Sequence, residues 1–440
     1  MVTVEALSHD GRGIARIDGK TVFIAGALPG EKVDIRYYKR HKNFDEAICE
    51  TVLDASPERM EPRCSHFSLC GGCSLQHLSP QAQHLHKQSV LIEQLKHFAK
   101  TQPDVVLPPL FDESSWGYRY KARLSVRYSE KKGSVFVGFR EKTHPRFIAQ
   151  IEQCHVLLSS VGLCIKALHE LIESLDAKRD IPQIEIAAGD EICALIIRHM
   201  SSLSNADREK LLAFGKKYHF WMISQPGGQD SLKSLDETLP LESTLFYRLP
   251  EEDLTFYFHP AHFTQINPRM NQKLVQRALE LLKPEPDEII LDLYCGLGNF
   301  SLPLAKRAKH VIGVEGSNTM VQQAQYNAKM NNINNVYFST ADLSDIAFRD
   351  MPWAKGKYDK ILLDPARAGA LEIVQSIEAG SKTWHPKSIV YVSCNPATLA
   401  RDAGILVQEK GYRLREAGIA DMFPHTSHVE SIALFERAST

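Results

Sequence analysis

A chain of 440 residues is long enough for about two to four domains. Hydrophobic residues make up 43% and charged residues 24%, and the formal net charge of −1 argues against a uniformly basic nucleic-acid binder. No apolar run approaches the roughly 20 residues of a membrane helix, and the N-terminus lacks the basic-then-apolar pattern of a signal peptide. We therefore expect a cytoplasmic protein with no membrane partner.

Residues 1–54 contain short apolar or alternating runs separated by glycines. Segments 21–24 and 32–38 are typical of strands, and Gly11, Gly19 and Gly30 mark turns between them. Several short strands in about 50 residues predict a small β-barrel of the oligonucleotide-binding (OB) kind.

Three cysteines, Cys64, Cys70 and Cys73, follow the barrel with the spacing C-x5-C-x2-C. Their thiolates can face one centre, and the Gly71-Gly72 pair lets the backbone turn tightly and offer N–H groups to sulfur. A disulfide framework is not expected in a reducing compartment. The best candidate for a fourth ligand is Cys154. The spacing predicts a metal site but suits both zinc and iron–sulfur.

Residues 55–260 form a predicted central α+β domain, with helical periodicity around 81–99. Segment 116–150 carries nine Lys or Arg against two acidic residues. Six aromatic residues are interleaved with these charges: Tyr118, Tyr120, Tyr128, Phe136, Phe139 and Phe147. Phosphate neutralisation combined with aromatic stacking is how single-stranded or looped RNA is held. The segment therefore predicts contact with RNA, the alternative being a solvated strand face.

Residues 261–440 form a predicted third domain of regular α/β alternation. Strands are expected at 288–294, 311–315, 335–342, 358–365, 387–394, 412–422 and 429–435, and helices at 271–282, 301–308 and 318–330. Strands alternating with helices predict a parallel, doubly wound, Rossmann-like sheet of about seven strands.

The turn after the first strand of this domain is glycine-rich but lacks the GxGxxG dinucleotide fingerprint. Gly296 and Gly298 let the backbone approach a ligand closely. Glu315, at the end of the second strand, can accept both hydroxyls of a ribose. Asp342, at the end of the third, can accept from the amine of adenine. This ordered set indicates an S-adenosylmethionine (SAM) site of the common methyltransferase fold.

Cys394 ends an apolar strand and is followed by Asn395-Pro396, which places a thiol where α/β sheets bind ligands. A thiolate that adds to C6 of uracil makes C5 nucleophilic toward a methyl sulfonium, and a base must then remove the C5 proton. Asp364 is the candidate for holding the uracil. Glu430 is the candidate base, with His425 and His428 as rivals.

Five segments match, in order, signatures of the bacterial RNA (uracil-5-)-methyltransferase family, which the chain resembles over nearly its whole length: 263–267, 292–300, 363–367, 393–396 and 425–430. The resemblance implies a TRAM domain at the N-terminus. It also implies a four-iron–four-sulfur (4Fe-4S) cluster on four cysteines: Cys64, Cys70, Cys73 and Cys154. Barrel plus cluster is similar to the branch that methylates 23S ribosomal RNA.

The same resemblance implies roles for individual residues. Cys394 would be the nucleophile and Glu430 the base. Six residues would line the SAM and uracil site: Gln265, Tyr294, Asn299, Glu315, Asp342 and Asp364. We expect a monomeric SAM-dependent methyltransferase acting on one uridine of 23S rRNA.

Three other functions remain open. The same chemistry could act on another 23S uridine or on tRNA. The chain could be an RNA-binding iron–sulfur sensor with a vestigial methyltransferase fold. A small-molecule methyltransferase is a third reading, although it would leave the barrel and the basic segment without a purpose.

Overall fold

The computed structural model describes residues 1–241, 244–377 and 384–437. The chain divides into two compact units. The first unit comprises Met1–Lys87, Glu113–Leu241 and Phe423–His428. The second unit comprises Gln88–Asp112, Glu242–Met422 and Val429–Thr440.

Strands are numbered here in chain order: β1 (Val2–Thr3), β2 (Ala6–Leu7), β3 (Gly13–Ile17), β4 (Lys20–Ala25), β5 (Lys32–Arg40), β6 (Phe44–Asp54), β7 (Val105–Val106), β8 (Lys121–Ser129), β9 (Ser134–Arg140), β10 (Ile148–Gln150), β11 (Gln183–Ala188), β12 (Cys193–Arg198), β13 (Phe220–Gln225), β14 (Lys233–Ser234), β15 (Leu245–Leu249), β16 (Leu254–Phe258), β17 (Ile289–Leu293), β18 (His310–Glu315), β19 (Val336–Thr340), β20 (Lys360–Leu363), β21 (Ser388–Ser393), β22 (Tyr412–Ala420) and β23 (Glu430–Arg437).

The α-helices are α1 (Pro80–Gln94), α2 (Ser159–Gly162), α3 (Ile165–Ser174), α4 (Asn205–Tyr218), α5 (Pro268–Leu282), α6 (Ser301–Ala305), α7 (Asn318–Met330), α8 (Leu371–Ser376) and α9 (Pro396–Gln408). A π-helical turn, Leu95–Ala99, continues α1. Among the described residues, no helix combines the length and the apolar character that a transmembrane segment requires.

The first unit contains two sheets. The N-terminal sheet has the strand order β1-β5-β6-β4-β3-β2, and alternate residues of its strands, such as Val22 and Ile24, are buried on one face. The second sheet has the order β10-β9-β8-β11-β12-β13-β14, and α3 packs against the same apolar cluster, which includes Leu124 and Leu168.

The second unit is built on a sheet with the order β19-β18-β17-β20-β21-β23-β22-β7. Its strands are parallel from β19 to β21, as the sequence predicts. The prediction of an all-parallel sheet is wrong for β23, which runs antiparallel to both β21 and β22. Residues 421–429 form no helix, and so short a connection suits an antiparallel pair, whereas parallel neighbours need a long crossover. Strand β7 is an eighth strand that the sequence did not predict.

Candidate active site

Cys394 lies in a tight turn between β21 and α9. Asn395 caps the helix, because its side-chain oxygen accepts a hydrogen bond from the Ala397 backbone N–H at 3.1 Å. Pro396 occupies the start of the helix, where its missing N–H has no intrahelical partner to lose. The turn therefore holds the thiol at the carboxyl end of a sheet strand.

Strand register brings Glu430 next to Cys394. Ser393 of β21 pairs antiparallel with Ser431 of β23, and the Ser431 hydroxyl donates to the Ser393 carbonyl at 3.0 Å. Cys394 directly follows Ser393, and Glu430, the first residue of β23, directly precedes Ser431, so the two residues lie at the same end of this strand pair, where the charge of Glu430 acts on the Cys394 thiol. Asp364 directly follows β20, the strand on the other side of β21. The structure thus brings together the residues predicted to be nucleophile, base and uracil-holding acid.

Burial and like charge shift the protonation of these three groups. Burial raises the pKa of Asp364 to about 7. Burial and the neighbouring Asp364 raise the pKa of Glu430 well above its usual range. Burial, followed by the charges of Glu430 and Asp364, raises the pKa of the Cys394 thiol to about 11, while Arg367 opposes the shift. The free site therefore holds a protonated thiol beside a carboxyl of unusually high proton affinity.

The two rival bases, His425 and His428, belong to the first unit. The His425 ring stacks on Trp116 with the ring centroids 3.8 Å apart. The His425 backbone N–H, at a left-handed φ of 65°, donates to the side-chain oxygen of Gln83 at 2.9 Å. The His428 ring meets Phe423 edge-on at 5.5 Å. His425 is therefore held in a buried position within that unit, whereas His428 is exposed.

A cavity of about 400 Å³ in the second unit is lined by three of the predicted cofactor residues, Tyr294, Glu315 and Asp342. Glu315 is held at the end of β18, because its carboxylate accepts the Gly296 N–H at 3.2 Å and the Ser317 N–H at 3.0 Å. Gly296 has a φ of 57°, which favours glycine. A hydrogen bond therefore joins the glycine loop directly to Glu315, the acid predicted to bind the ribose.

Gln265, Asn299 and Asp364 are not among the residues that line this cavity. Asn299 exchanges two hydrogen bonds of 2.9 Å with Asn271 and accepts one of 2.8 Å from the Tyr247 hydroxyl. The cofactor-binding roles of all six residues stay predictions, and the cavity supports three of them.

The cavity wall also contains residues that the sequence reasoning missed. The loop after Asp364 contributes several of them, and Glu372 and Arg401 add two charged side chains. The glycine at position 369 was a partial signal in the sequence. Its φ of 82° in the structure marks a tight turn in that loop. Arg401 gave no signal, because its position in α9 fits an ordinary amphipathic helix.

The four predicted metal-binding cysteines of the first unit line one cavity of about 360 Å³: Cys64, Cys70, Cys73 and Cys154. Burial, with a further contribution from neighbouring sulfurs, raises the pKa of Cys73 to about 12 and that of Cys154 to about 11. The Gly72 N–H donates to the Cys70 sulfur at 3.4 Å, as the Gly-Gly pair predicts. In the described ranges, no three Cys, His, Asp or Glu side chains form a group suited to a single metal ion.

The basic segment forms β8, β9 and β10 of the first unit. Six of its nine basic side chains are exposed: Arg123, Arg127, Lys131, Lys132, Arg140 and Arg146. Phe147 is also exposed. Tyr118, which was expected among the stacking aromatics, is instead fully buried, and its hydroxyl donates to the Pro424 carbonyl at 3.0 Å.

A mainly parallel α/β sheet with a glycine loop after β17 and acids at the ends of β18 and β19 defines a SAM-dependent methyltransferase of class I. A family model described as tRNA (uracil-5-)-methyltransferase matches residues 80–438, and a TRAM domain model matches residues 1–47. The chain therefore belongs to the tRNA (uracil-5-)-methyltransferase family. The predicted TRAM domain is confirmed.

Curated relatives cover almost the whole chain. The 23S rRNA (uracil(1939)-C(5))-methyltransferase RlmD of Legionella pneumophila (strain Lens) is 49% identical over 432 residues, which are 98% of this chain and 96% of that protein. The RlmD protein of Nitrosococcus oceani is 50% identical over 435 residues, 99% of this chain and 95% of that protein. The predicted relationship to the branch that methylates 23S rRNA is confirmed, because these relatives are of the RlmD type.

A solved structure shares the fold. The crystal structure of Pyrococcus abyssi tRNA (uracil-54, C5)-methyltransferase in complex with S-adenosyl-L-homocysteine superimposes with a TM-score of 0.72 at 24% identity. The match covers 98% of this chain and 99% of that chain.

Proposed function

We propose that this protein transfers a methyl group from SAM to C5 of a uridine in 23S rRNA. The observation that supports the proposal is that Cys394 and Glu430 lie at the same end of the paired strands β21 and β23, with Asp364 directly after the neighbouring strand β20. A nucleophile, a base and a hydrogen-bonding acid are the three groups that methylation of uracil at C5 requires.

The Cys394 thiol gives its proton to the Asp364 carboxylate, the sulfur forms a bond to C6 of uracil, and the electrons of the C5=C6 double bond move toward C5 and O4. Asp364, whose pKa near 7 lets it donate or accept a proton, holds the uracil edge. After methylation, Glu430 takes the proton from C5, the C5=C6 bond re-forms and the C6–S bond breaks. The raised pKa of Glu430 strengthens it as a base for this step.

Bound SAM supplies an electrophilic methyl group on a sulfonium. The cavity beside Glu315 fits it, because a carboxylate fixed by two backbone N–H groups at the end of β18 is placed to accept ribose hydroxyls. Asp342 and Tyr294 would contact the adenosine, with Gln265, Asn299 and Asp364 completing the site. Phe263 is 63% exposed and could stack on a uridine flipped out of its helix.

We also propose that Cys64, Cys70, Cys73 and Cys154 hold a 4Fe-4S cluster. A zinc ion draws four sulfurs to within about 2.3 Å of one point and leaves no open space between them. The cavity of about 360 Å³ that the four cysteines line together with other residues has room for a larger group. The cluster would tie segment 64–73 to Cys154 as a structural element.

The remaining proposals concern organisation. The barrel (1–54) and central domain (55–260) would hold the RNA, and the third domain (261–440) would carry the chemistry. We expect a cytoplasmic monomer, because ribosomal RNA is the substrate and the proposed site needs no second copy of the chain.

The test uses purified protein, SAM with a labelled methyl group, and unmodified 23S rRNA and tRNA in parallel. We expect 5-methyluridine at one position of 23S rRNA and none in tRNA, mapped by mass spectrometry of nuclease fragments. Methylation of tRNA alone would overturn the assigned substrate. Methylation of neither RNA would overturn the proposed function.

A further inference from the structure

The loop between β20 and α8 lines the proposed cofactor cavity and begins at Asp364. We propose that Asp402, which lies behind this loop in α9, is the residue that positions it and thereby sets the affinity for SAM. The inference rests on the proposed function, because it takes the 400 Å³ cavity to be the cofactor site.

Asp402 is completely buried and both of its carboxylate oxygens are engaged. One oxygen accepts the Tyr391 hydroxyl at 2.7 Å and the Ala370 backbone N–H at 2.8 Å. The other accepts the Arg401 Nε at 2.7 Å. A charge-assisted hydrogen bond is about twice as strong as a neutral one, so the carboxylate fixes the end of the loop firmly.

The middle of the loop packs directly on the same ion pair. The Arg401 guanidinium, besides binding Asp402, donates to the Ala368 carbonyl at 3.0 Å. Gly369 has a φ of 82°, and a Cβ at this position would come within 2.6 Å of the Arg401 guanidinium and 2.8 Å of the Asp402 carboxylate. Position 369 therefore favours glycine, and the path of the loop there is defined by the two charged side chains.

The start of the loop is held by the turn that carries the nucleophile. The Arg367 carbonyl accepts the Asn395 side-chain amide at 3.0 Å and the Thr398 hydroxyl at 3.3 Å. Helix α9 and its N-cap thus hold the loop at three points, Arg367, Ala368 and Ala370. Among the side chains that form these hydrogen bonds, Asp402 alone is fully buried. Asp402 touches no part of the cavity itself, so it acts as a positioning residue.

The first test is Asp402→Asn, in which the side chain keeps its shape but loses its charge and one acceptor. We expect the KM for SAM, and the Kd for S-adenosylhomocysteine by calorimetry, to rise about 10- to 100-fold. The kcat at saturating SAM and the KM for RNA should change less than about threefold. Tyr391→Phe, which removes only the hydroxyl, should raise the same two constants about three- to tenfold.

The matched control is Asp207→Asn in the first unit. Asp207 is also completely buried and accepts two backbone N–H groups, those of Asp176 at 2.7 Å and Ala177 at 3.2 Å. This variant should lower thermal stability and leave S-adenosylhomocysteine binding unchanged.

Tight binding by a folded Asp402→Asn variant overturns the inference. If that variant does not fold, unchanged binding by Tyr391→Phe overturns it. Absence of binding by the wild-type protein would instead overturn the proposed function.

Discussion

In the first unit, four cysteines line one cavity, whereas in the second unit Cys394 lies near the carboxyl groups of Glu430 and Asp364. Burial raises thiol pKa values in both places, but the further contribution comes from other sulfurs in one and from Glu430 and Asp364 in the other. Grouped thiols favour binding of a metal centre, and a single thiol beside a base favours covalent chemistry. We therefore propose that cysteine has a structural role in the first unit and a catalytic role in the second.

The largest expected effect concerns the covalent chemistry proposed for the second unit. Glu430→Gln removes the group that takes the C5 proton, so turnover should fall about 10³-fold or more and a covalent protein–RNA complex should accumulate on denaturing gels. Glu436→Gln is the control, because Glu436 lies on the same strand and is exposed, paired with Arg415. Normal turnover by Glu430→Gln would show that another residue is the base.

The next effect concerns the metal-binding side. Cys70→Ser should lose bound iron and lower the free energy of unfolding by about 4 kcal/mol or more, because a cluster holds the segment in place. Iron analysis and denaturant unfolding measure the two quantities. Cys164→Ser, at a half-buried cysteine that does not line the cavity, should retain iron. Full activity of an iron-free Cys70→Ser protein would rule out the structural role.

A smaller effect sharpens the electrostatic difference between the two kinds of thiol. Asp364→Asn removes a negative charge that raises the pKa of Cys394, so the thiol should ionise at a lower pH, by about one pH unit. At pH 8 this corresponds to about tenfold faster alkylation of the Cys394 peptide, followed by mass spectrometry. Asp342→Asn should leave this rate nearly unchanged, since the main charges that shift the pKa of Cys394 are those of Glu430, Asp364 and Arg367. An unchanged rate in Asp364→Asn would contradict the assigned cause.

The smallest effect tests whether the first unit also carries RNA contacts. Arg127→Ala on β8 should weaken RNA binding about three- to fivefold and reduce the slope of log affinity against log salt by about 1. Lys309→Ala, at an exposed lysine of the second unit, should change neither quantity. Equal effects of the two substitutions would show that the basic strands of the first unit have no special part in binding.

Much of the candidate site was predictable because strand ends concentrate function. Residues such as Cys394, Glu315 and Asp364 follow apolar runs, and the hydrophobic pattern alone locates those ends. Cys394 and Glu430 were predicted as nucleophile and candidate base from the chemistry of uracil methylation, and the family resemblance favoured Glu430 over His425 and His428. The proximity of Cys394 and Glu430 has its physical basis in the antiparallel register of β21 and β23, which depends on tertiary contacts.

The residues that sequence reasoning missed share a different property. Tyr391, Arg401 and Asp402 form hydrogen bonds with a loop that is distant in the chain, and no local pattern distinguishes them from core and surface residues of an ordinary strand and helix. The prediction that Tyr118 stacks on RNA bases is wrong because this side chain is fully buried. An aromatic residue in a basic segment has the same sequence pattern whether it is exposed or buried.

The central claim is that Cys394 adds covalently to uracil. The most direct measurement is denaturing gel electrophoresis of the protein incubated with SAM and 5-fluorouracil-substituted 23S rRNA, since fluorine at C5 cannot leave as a proton does. The account predicts a stable protein–RNA adduct with the wild-type protein and none with Cys394→Ala, which should still bind RNA. An adduct that persists in Cys394→Ala, or its absence from an active wild-type protein, would contradict the claim.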